Sequence, residues 1–359
     1  MLATATRKML RSPFVDLLVG PHGIDRYLEL IRPHLTVHDA RAEVVAVRRQ
    51  TARSATVTVR PNDAWGGFRA GQFVRVGVEI DGVRRTRTYS PASSQHRADG
   101  LLELTVTAHP HGLVSRHLCA RLAPGTILHL GAADGDFVLP AERPERLLLV
   151  SGGSGVTPVL SMLRTLCEEG HAGEVGFVHY SRTAADALYR MEVEALAARH
   201  PRLRIAYAAT REGGGRFCAG TVGELLGGFD GAAAAVCGPP PLIDSVREVW
   251  AAEGAGDRVF AETFTPPTVT VTGPAASGTL RFLRSGQEAR IGAGTLLEQA
   301  EASGLSPEYG CRMGICHTCS CRKTAGAVRN VLTGEVSAEE HEDIQLCISV
   351  PAGDVALEL

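Results

Sequence analysis

The chain of 359 residues has no charge excess of either sign: 37 Lys and Arg stand against 39 Asp and Glu, a net charge of −2. That balance gives no reason to expect nucleic acid or an acidic lipid surface as the main partner. No internal repeat is present, so a solenoid or propeller is excluded. The first apolar run, in "MLATATRKMLRSPFVDLLVGPHG", is broken by Asp16, is too short to span a bilayer, and is followed by no small-residue cleavage site. A cytoplasmic protein is therefore expected. Nor is there an even set of cysteines spread through a short domain, as a secreted disulfide framework would need. The nine cysteines are odd in number and five of them, Cys311, Cys316, Cys319, Cys321 and Cys347, lie in the last fifth of the chain. Such clustering points to metal chemistry in a reducing compartment.

What is present is a chain too long for one core, with 44% apolar and 21% charged residues, hence two or three globular domains. Residues 1–40 read as an extension carrying a short amphipathic helix, with Ile24, Tyr27, Leu28 and Ile31 at i, i+3, i+4 and i+7. That helix is expected to pack on the body of its own protein, docking toward a membrane-bound partner being the alternative. Residues 41–142 have β texture: "AEVVAVRR", "SATVTVRP", "QFVRVGVEIDGVRRTRTYS" and "LLELTVTAHP" are short strands parted by turns, an antiparallel barrel. From 143 to 264 strands alternate with helices, among them helices expected over 158–170 and 184–200, which predicts a parallel, doubly wound sheet. Residues 265–278, "TPPTVTVTGPAASG", form the linker candidate. Residues 279–359 hold a hairpin-like pair, a helix and the cysteine loop.

In the α/β region, "SGGSGVTP" leaves a strand and opens a helix. Gly152, Gly153 and Gly155 allow backbone to approach a ligand, and the helix N-terminus offers free N–H groups to a pyrophosphate. A turn of this kind also serves pure packing. "CGPPP" sets Cys237, Gly238 and Pro239 at the carboxyl end of a strand, the ligand edge of such sheets. Ser181 and Arg182 end another strand, Arg190 follows, and no acid sits at that strand end. This set suits a nucleotide 2′-phosphate and so NADPH over NADH, although both arginines could equally be solvated charges.

Cys311, Cys316 and Cys319 are spaced C-x4-C-x2-C with Cys347 remote, the plant-type 2Fe-2S pattern. A closed zinc site more often has two short C-x2-C pairs. His317 follows the second cysteine, yet a Rieske centre needs two His and two Cys on separate loops. Cys321 reads as a spare thiol on the strand leaving the loop.

Together, "RTYS" (Arg87, Thr88, Tyr89, Ser90), "HPHGLVSRHL", "GGSGVTP", "CGPPP" and "FAETF" resemble the ferredoxin–NADP reductase superfamily. The chain is more closely similar to bacterial single-chain reductases with a C-terminal plant-type ferredoxin domain of β-grasp, α+β fold, which serve oxygenases, hydroxylases and fatty-acid desaturases. The likeness covers about residues 41–359. It implies FAD, with FMN as the alternative, in a barrel domain. Arg87 would neutralise its phosphate, Tyr89 pack on its ring and Ser90 bond near the reactive ring nitrogen. His109, Gly112, Leu113, Val114 and Ser115 would hold its pyrophosphate. Gly152, Gly153, Gly155 and Thr157 would line the nicotinamide nucleotide, with Cys237 beside the nicotinamide, and Glu262 and Phe264 would close over the flavin. The catalytic set so implied is Ser90, Cys237 and Glu262. The route runs from NADPH to FAD as a hydride and on, one electron at a time, through the 2Fe-2S cluster to a desaturase or oxygenase. Two other readings stand beside it: a redox-sensing iron–sulfur flavoprotein without turnover, and a zinc-stapled flavin reductase.

Overall fold

The computed structural model describes residues 9–10, 15, 23–110, 112–264 and 277–359, which fall into two compact units, 1–264 and 265–359. The Pro/Thr-rich segment expected as a linker lies, but for its last two residues, outside the described residues.

In the first unit, helix α1 (Gly23–Ile31) precedes six antiparallel strands: β1 (Arg41–Arg49), β2 (Ser54–Pro61), β3 (Phe73–Ile80), β4 (Val83–Tyr89), β5 (Leu102–Thr107) and β6 (Ile127–Asp134). Their order is β4-β3-β6-β1-β2-β5, and a bridge from Pro91 to Leu104 joins the two edges, so the sheet curls into a barrel. The alternating residues Val74, Val76 and Val78 of β3 and Leu102, Leu104 and Val106 of β5 face inward and fill it. This period-two burial is what the sequence alternation demands. Strand β6 and helix α2 (Leu113–Ala120) were not separable in the sequence, where "ILHLGAAD" has too few β-branched residues to stand out.

The second layer of this unit is a five-stranded parallel sheet, β7 (Arg146–Gly152), β8 (Glu174–Ser181), β9 (Leu203–Ala209), β10 (Ala232–Cys237) and β11 (Val259–Glu262), in the order β11-β10-β7-β8-β9. Helices α3 (Val156–Glu168), α4 (Arg190–Arg199), α5 (Ala219–Leu226) and α6 (Pro240–Ala252) cover it. The order reverses between β7 and β10, so the carboxyl ends of those two strands bound the ligand crevice.

Two helices differ from the sequence expectation. Helix α3 runs 156–168, not 158–170, because Gly170 at φ +65° ends the helical path. The helix expected over 184–200 is a short 3-10 turn followed by α4, which starts only at Arg190. The break is made by Tyr189 (φ +60°): its side chain is buried and its hydroxyl bonds Thr105 and, at 3.1 Å, Thr56 of the barrel. Arg164 of α3 adds bonds to the Ala92 carbonyl (2.7 Å) and to Glu103 (2.9 Å), tying sheet layer to barrel.

The second unit is one sheet, β13 (Gln287–Arg290), β12 (Thr279–Phe282), β17 (Ser349–Leu357), β14 (Ser320–Asn330) and β15 (Val336–Ser337) in that order, with β16 (Glu342–Gln345) also paired to β14. Helix α7 (Leu296–Ala302) lies across it and starts in a capping box formed by Thr295 and Glu298. Leu280, Phe282, Leu296, Leu297 and Ile344 make the core. Lys323 is fully buried, with its ammonium on the Gly326 carbonyl (3.0 Å) and Glu342 (3.4 Å). The cysteine loop joins α7 to β14.

Candidate functional site

The barrel's contribution comes from the end of β4. Arg87 and Tyr89 are two residues apart on the strand and share a face; Tyr89 packs on the barrel core and its phenol is pushed up by burial, with Arg87 opposing. Ser90 follows, buried, and its hydroxyl has no hydrogen-bond partner among the described residues. A buried hydroxyl left unpaired is uncommon and fits an acceptor atom on a bound ring. Thr88 pairs with Arg75 across the hairpin. At the start of α2, Gly112 is the cap residue without a side-chain cap, so the first N–H groups of the helix stay free for an anion. A Cβ at Gly112 would come within 2.3 Å of the Ser115 hydroxyl, which accepts from the His109 N–H at 3.1 Å. Leu113 is exposed, whereas the Val114 side chain belongs to the barrel core, leaving only its backbone for a ligand.

The sheet's contribution lies at the switch point. After Gly152, a turn with Gly153 at φ +56° leads into α3. Gly155 packs so tightly on the end of β10 that a Cβ there would sit 2.2 Å from the Cys237 carbonyl oxygen. A Cβ at Gly152 would meet Pro239 at 2.8 Å, and one at Gly238 would meet Leu242 at 3.0 Å. The Thr157 hydroxyl is buried and donates to the Ser154 carbonyl at 3.2 Å, closing the turn. Cys237 is completely buried, and strand register sets it beside Glu262. Burial pushes the Cys237 thiol up and the Glu262 carboxyl to about 8, so Glu262 holds a proton at neutral pH. Glu262 Oε2 has no hydrogen-bond partner among the described residues, and Phe264 packs on the core cluster that contains Cys237.

Register extends this pair into a row that sequence reading missed: Glu262, Cys237, Ser151, His179 and Tyr207 stand opposite one another on five successive strands. Ser151 and His179 share a 2.9 Å hydrogen bond, and burial drives His179 down to about 4. The available signal was positional, since each residue ends or nearly ends a strand.

At the outer edge of β8, the Ser181 hydroxyl donates to the Thr183 carbonyl at 2.7 Å and Arg182 is exposed. Arg190 is held by Glu194 (2.8 Å) and stacks over Tyr207 at 5.1 Å. Arg211, not singled out from the sequence, bonds the Arg182 carbonyl through its N–H at 2.9 Å and adds a second cation to this edge.

In the second unit the four cysteines form two pairs. Within each pair one thiol is drawn down by a hydrogen bond from the other, Cys316 from Cys311 and Cys319 from Cys347. Backbone N–H groups converge on the sulfurs: Cys311 on Cys316 at 3.1 Å, Met313 on Cys311 at 3.3 Å, Cys347 on Cys319 at 3.5 Å. The loop bends inward through Arg312, Gly314 and His317, all at positive φ. Four thiols fringed by N–H donors have the chemistry that would hold a 2Fe-2S cluster. Among the described residues no three His, Cys, Asp or Glu side chains converge on a single ion-sized site. Gly310 is fixed by space, since a Cβ would lie 2.6 Å from the Cys316 sulfur. Cys321 is buried in the core, its thiol pushed up to about 11 by burial.

Comparison with known proteins follows the same division. Residues 44–139 match the oxidoreductase FAD-binding domain, 149–248 the oxidoreductase NAD-binding domain, and 282–352 the 2Fe-2S iron-sulfur cluster binding domain. An NADPH oxidoreductase of Mycobacterium tuberculosis is 37% identical over 342 residues, covering 93% of this chain and 88% of that one. The glycine betaine monooxygenase reductase subunit of Pseudomonas aeruginosa is 31% identical over 319 residues, covering 81% and 87%. The solved structure of phthalate dioxygenase reductase, described as a modular structure for electron transfer from pyridine nucleotides to [2Fe-2S], superposes with a TM-score of 0.62 at 21% identity. It covers 89% of this chain and 97% of that one, and shows the shared fold.

Proposed function

This chain belongs to the oxidoreductases that join an FAD-binding barrel, an NAD-binding sheet and a C-terminal 2Fe-2S domain, the single-chain branch of the ferredoxin–NADP reductase superfamily, and from that membership we propose that it is the NADPH-dependent reductase of a fatty-acid desaturase or an oxygenase. The observation that carries the reading is the backbone-bonded setting of Cys311 beside Cys316 and of Cys319 beside Cys347 in a chain whose other unit has its crevice at Cys237 and Glu262. Bound here, FAD would supply the exchange between a two-electron hydride donor and one-electron chemistry, and a 2Fe-2S cluster on Cys311, Cys316, Cys319 and Cys347 would supply the one-electron carrier.

The chain's own residues position and tune. Arg87 supplies the cation for flavin phosphate, and the free N–H groups from Leu113 to Ser115 supply neutral donors. Ser90 and the protonated Glu262 present hydrogen-bond donors to the reacting ring edges. Cys237 shapes the floor of the nicotinamide site as a neutral, inert thiol. Gly152, Gly153 and Gly155 let the nucleotide backbone reach the α3 N-terminus, beside Thr157. Arg182 and Arg211, with Ser181, favour a 2′-phosphate; this is supported by the name of the mycobacterial relative, NADPH oxidoreductase. Acceptors of the oxygenase class are supported by relatives named reductase subunits of glycine betaine monooxygenase and of 3-ketosteroid-9-alpha-monooxygenase. No helix among the described residues is long and apolar enough to cross a membrane; the thiol cage and the use of reduced nucleotide support a place in the cytoplasm.

Anaerobic titration with NADPH tests the reading. Flavin and iron–sulfur absorbance should bleach together, and NADH should give slower reduction at equal concentration. Flavin bleaching with an unresponsive cluster would leave a flavin reductase and overturn the proposal.

A further inference from the structure

Helix α1 is fixed to its own unit through its acidic side, not through its full apolar stripe. Asp25 and Glu29, one turn apart, form the face turned toward the barrel. The Asp25 carboxylate accepts the N–H groups of Val37, His38 (2.9 Å) and Asp39 (3.2 Å), and Glu29 pairs with the largely buried Arg41. The opposite face carries Tyr27, Leu30 and Ile31, which are 48%, 83% and 72% exposed, and no residue of the helix is buried. Of the apolar stripe expected to pack on the body, Ile24 and Leu28 are half-buried, whereas Tyr27 and Ile31, joined by Leu30, are left outward while polar bonds fix the opposite side. An exposed leucine–isoleucine pair alone is ordinary. An apolar face held outward by a half-buried ion pair and three backbone bonds is a mounted surface.

Its electrostatics are equally one-sided. Both acids of the helix are committed inward, whereas Arg26, on the flank of the apolar face, and Arg32, just past the helix end, are exposed. An aliphatic–aromatic face rimmed by arginine, with its acids hidden, complements the boundary between anionic headgroups and acyl chains. We infer that α1 docks this reductase reversibly on an anionic bilayer, with Tyr27, Leu30 and Ile31 entering the headgroup–acyl boundary and Arg26 and Arg32 among the lipid phosphates. A single short helix of this kind gives peripheral, salt-sensitive attachment, with no span and no anchor. The inference is independent of what the reductase reduces.

The test is co-sedimentation of the full holo-protein with phosphatidylcholine vesicles containing or lacking half phosphatidylglycerol. Partition onto the anionic vesicles is expected, severalfold weaker on pure phosphatidylcholine and severalfold weaker for the Arg26→Glu/Arg32→Glu variant. The Leu30→Glu/Ile31→Glu variant should lose at least tenfold, with NADPH-driven ferricyanide reduction unchanged, which separates docking from electron transfer. Wild-type protein that stays in solution with both vesicles overturns the inference. So does a Leu30→Glu/Ile31→Glu variant that binds like wild type, which would move attachment to another surface. Self-association seen by light scattering and abolished by the same variant, without vesicle binding, would also overturn it and assign the face to a second copy of the chain.

Discussion

Glu262 shows how a site residue sets itself against stability. Its carboxyl in the fold titrates at about 8, against an ordinary value of 4.5, because burial disfavours the charge. The unfolded chain therefore releases this proton from pH 4.5 upward while the folded chain keeps it until about 8, so folding weakens as pH rises through that window. Glu262→Gln preserves shape and removes the titration. Urea unfolding of the variant at pH 5 and pH 8 should show it gaining a few kcal/mol on wild type at the higher pH, while flavin reduction by NADPH slows at least tenfold. Equal pH dependence of the two proteins would show that Glu262 is ionised in the fold. Gly310 is a second residue-scale case. A methyl group there would fall 2.6 Å from the Cys316 sulfur, so Gly310→Ala should cut iron and sulfide content per chain to well under half of wild type. Full iron loading in the variant would mean the loop has room the geometry denies.

At the scale of elements, α3 is the strut between sheet and barrel. Arg164 sits between Glu103 and Glu192, with its side chain 13% exposed, and also bonds the Ala92 carbonyl. Arg281 pairs with Glu288 across an open hairpin where both side chains are more than half exposed. Removing one partner of a largely buried pair strands the other, whereas an exposed pair adds little. Arg164→Leu should cost about 3–5 kcal/mol and Arg281→Leu under about 1 kcal/mol, read as unfolding free energies of the first and second units; equal costs would contradict the strut. The same elements show what sequence pattern conveys. The barrel strands, the parallel sheet and the cysteine loop were legible because alternation, β/α spacing and C-x4-C-x2-C are local. The start of α4 was not, because Tyr189 is drawn out of helical conformation by Thr56 and Thr105, more than eighty residues away. The row through Ser151 and His179 was likewise hidden, since it exists only in the register of separate strands.

For the whole molecule, the decisive feature is that two compact units carry different cofactor chemistries. The first unit owes its stability to large apolar clusters in the barrel and on both faces of the sheet. The second has one smaller core, and Cys319 and Cys347, two of its thiol cage, are members of it. Ligand binding to the folded state alone adds stability by mass action, and a group held by core cysteines is worth more to a small core than to a large one. Calorimetry of the holo-protein should therefore resolve two transitions. Removing iron with a chelator under reducing conditions should lower the transition of the second unit by roughly 10 °C or more and leave that of the first unit in place; removing the flavin should do the reverse. The distinction can be followed without calorimetry, because iron–sulfur absorbance reports the second unit and flavin fluorescence the first. A single transition that shifts as one on either treatment would mean that the two units unfold as one cooperative body, and stability would then have to be argued for the chain as a whole.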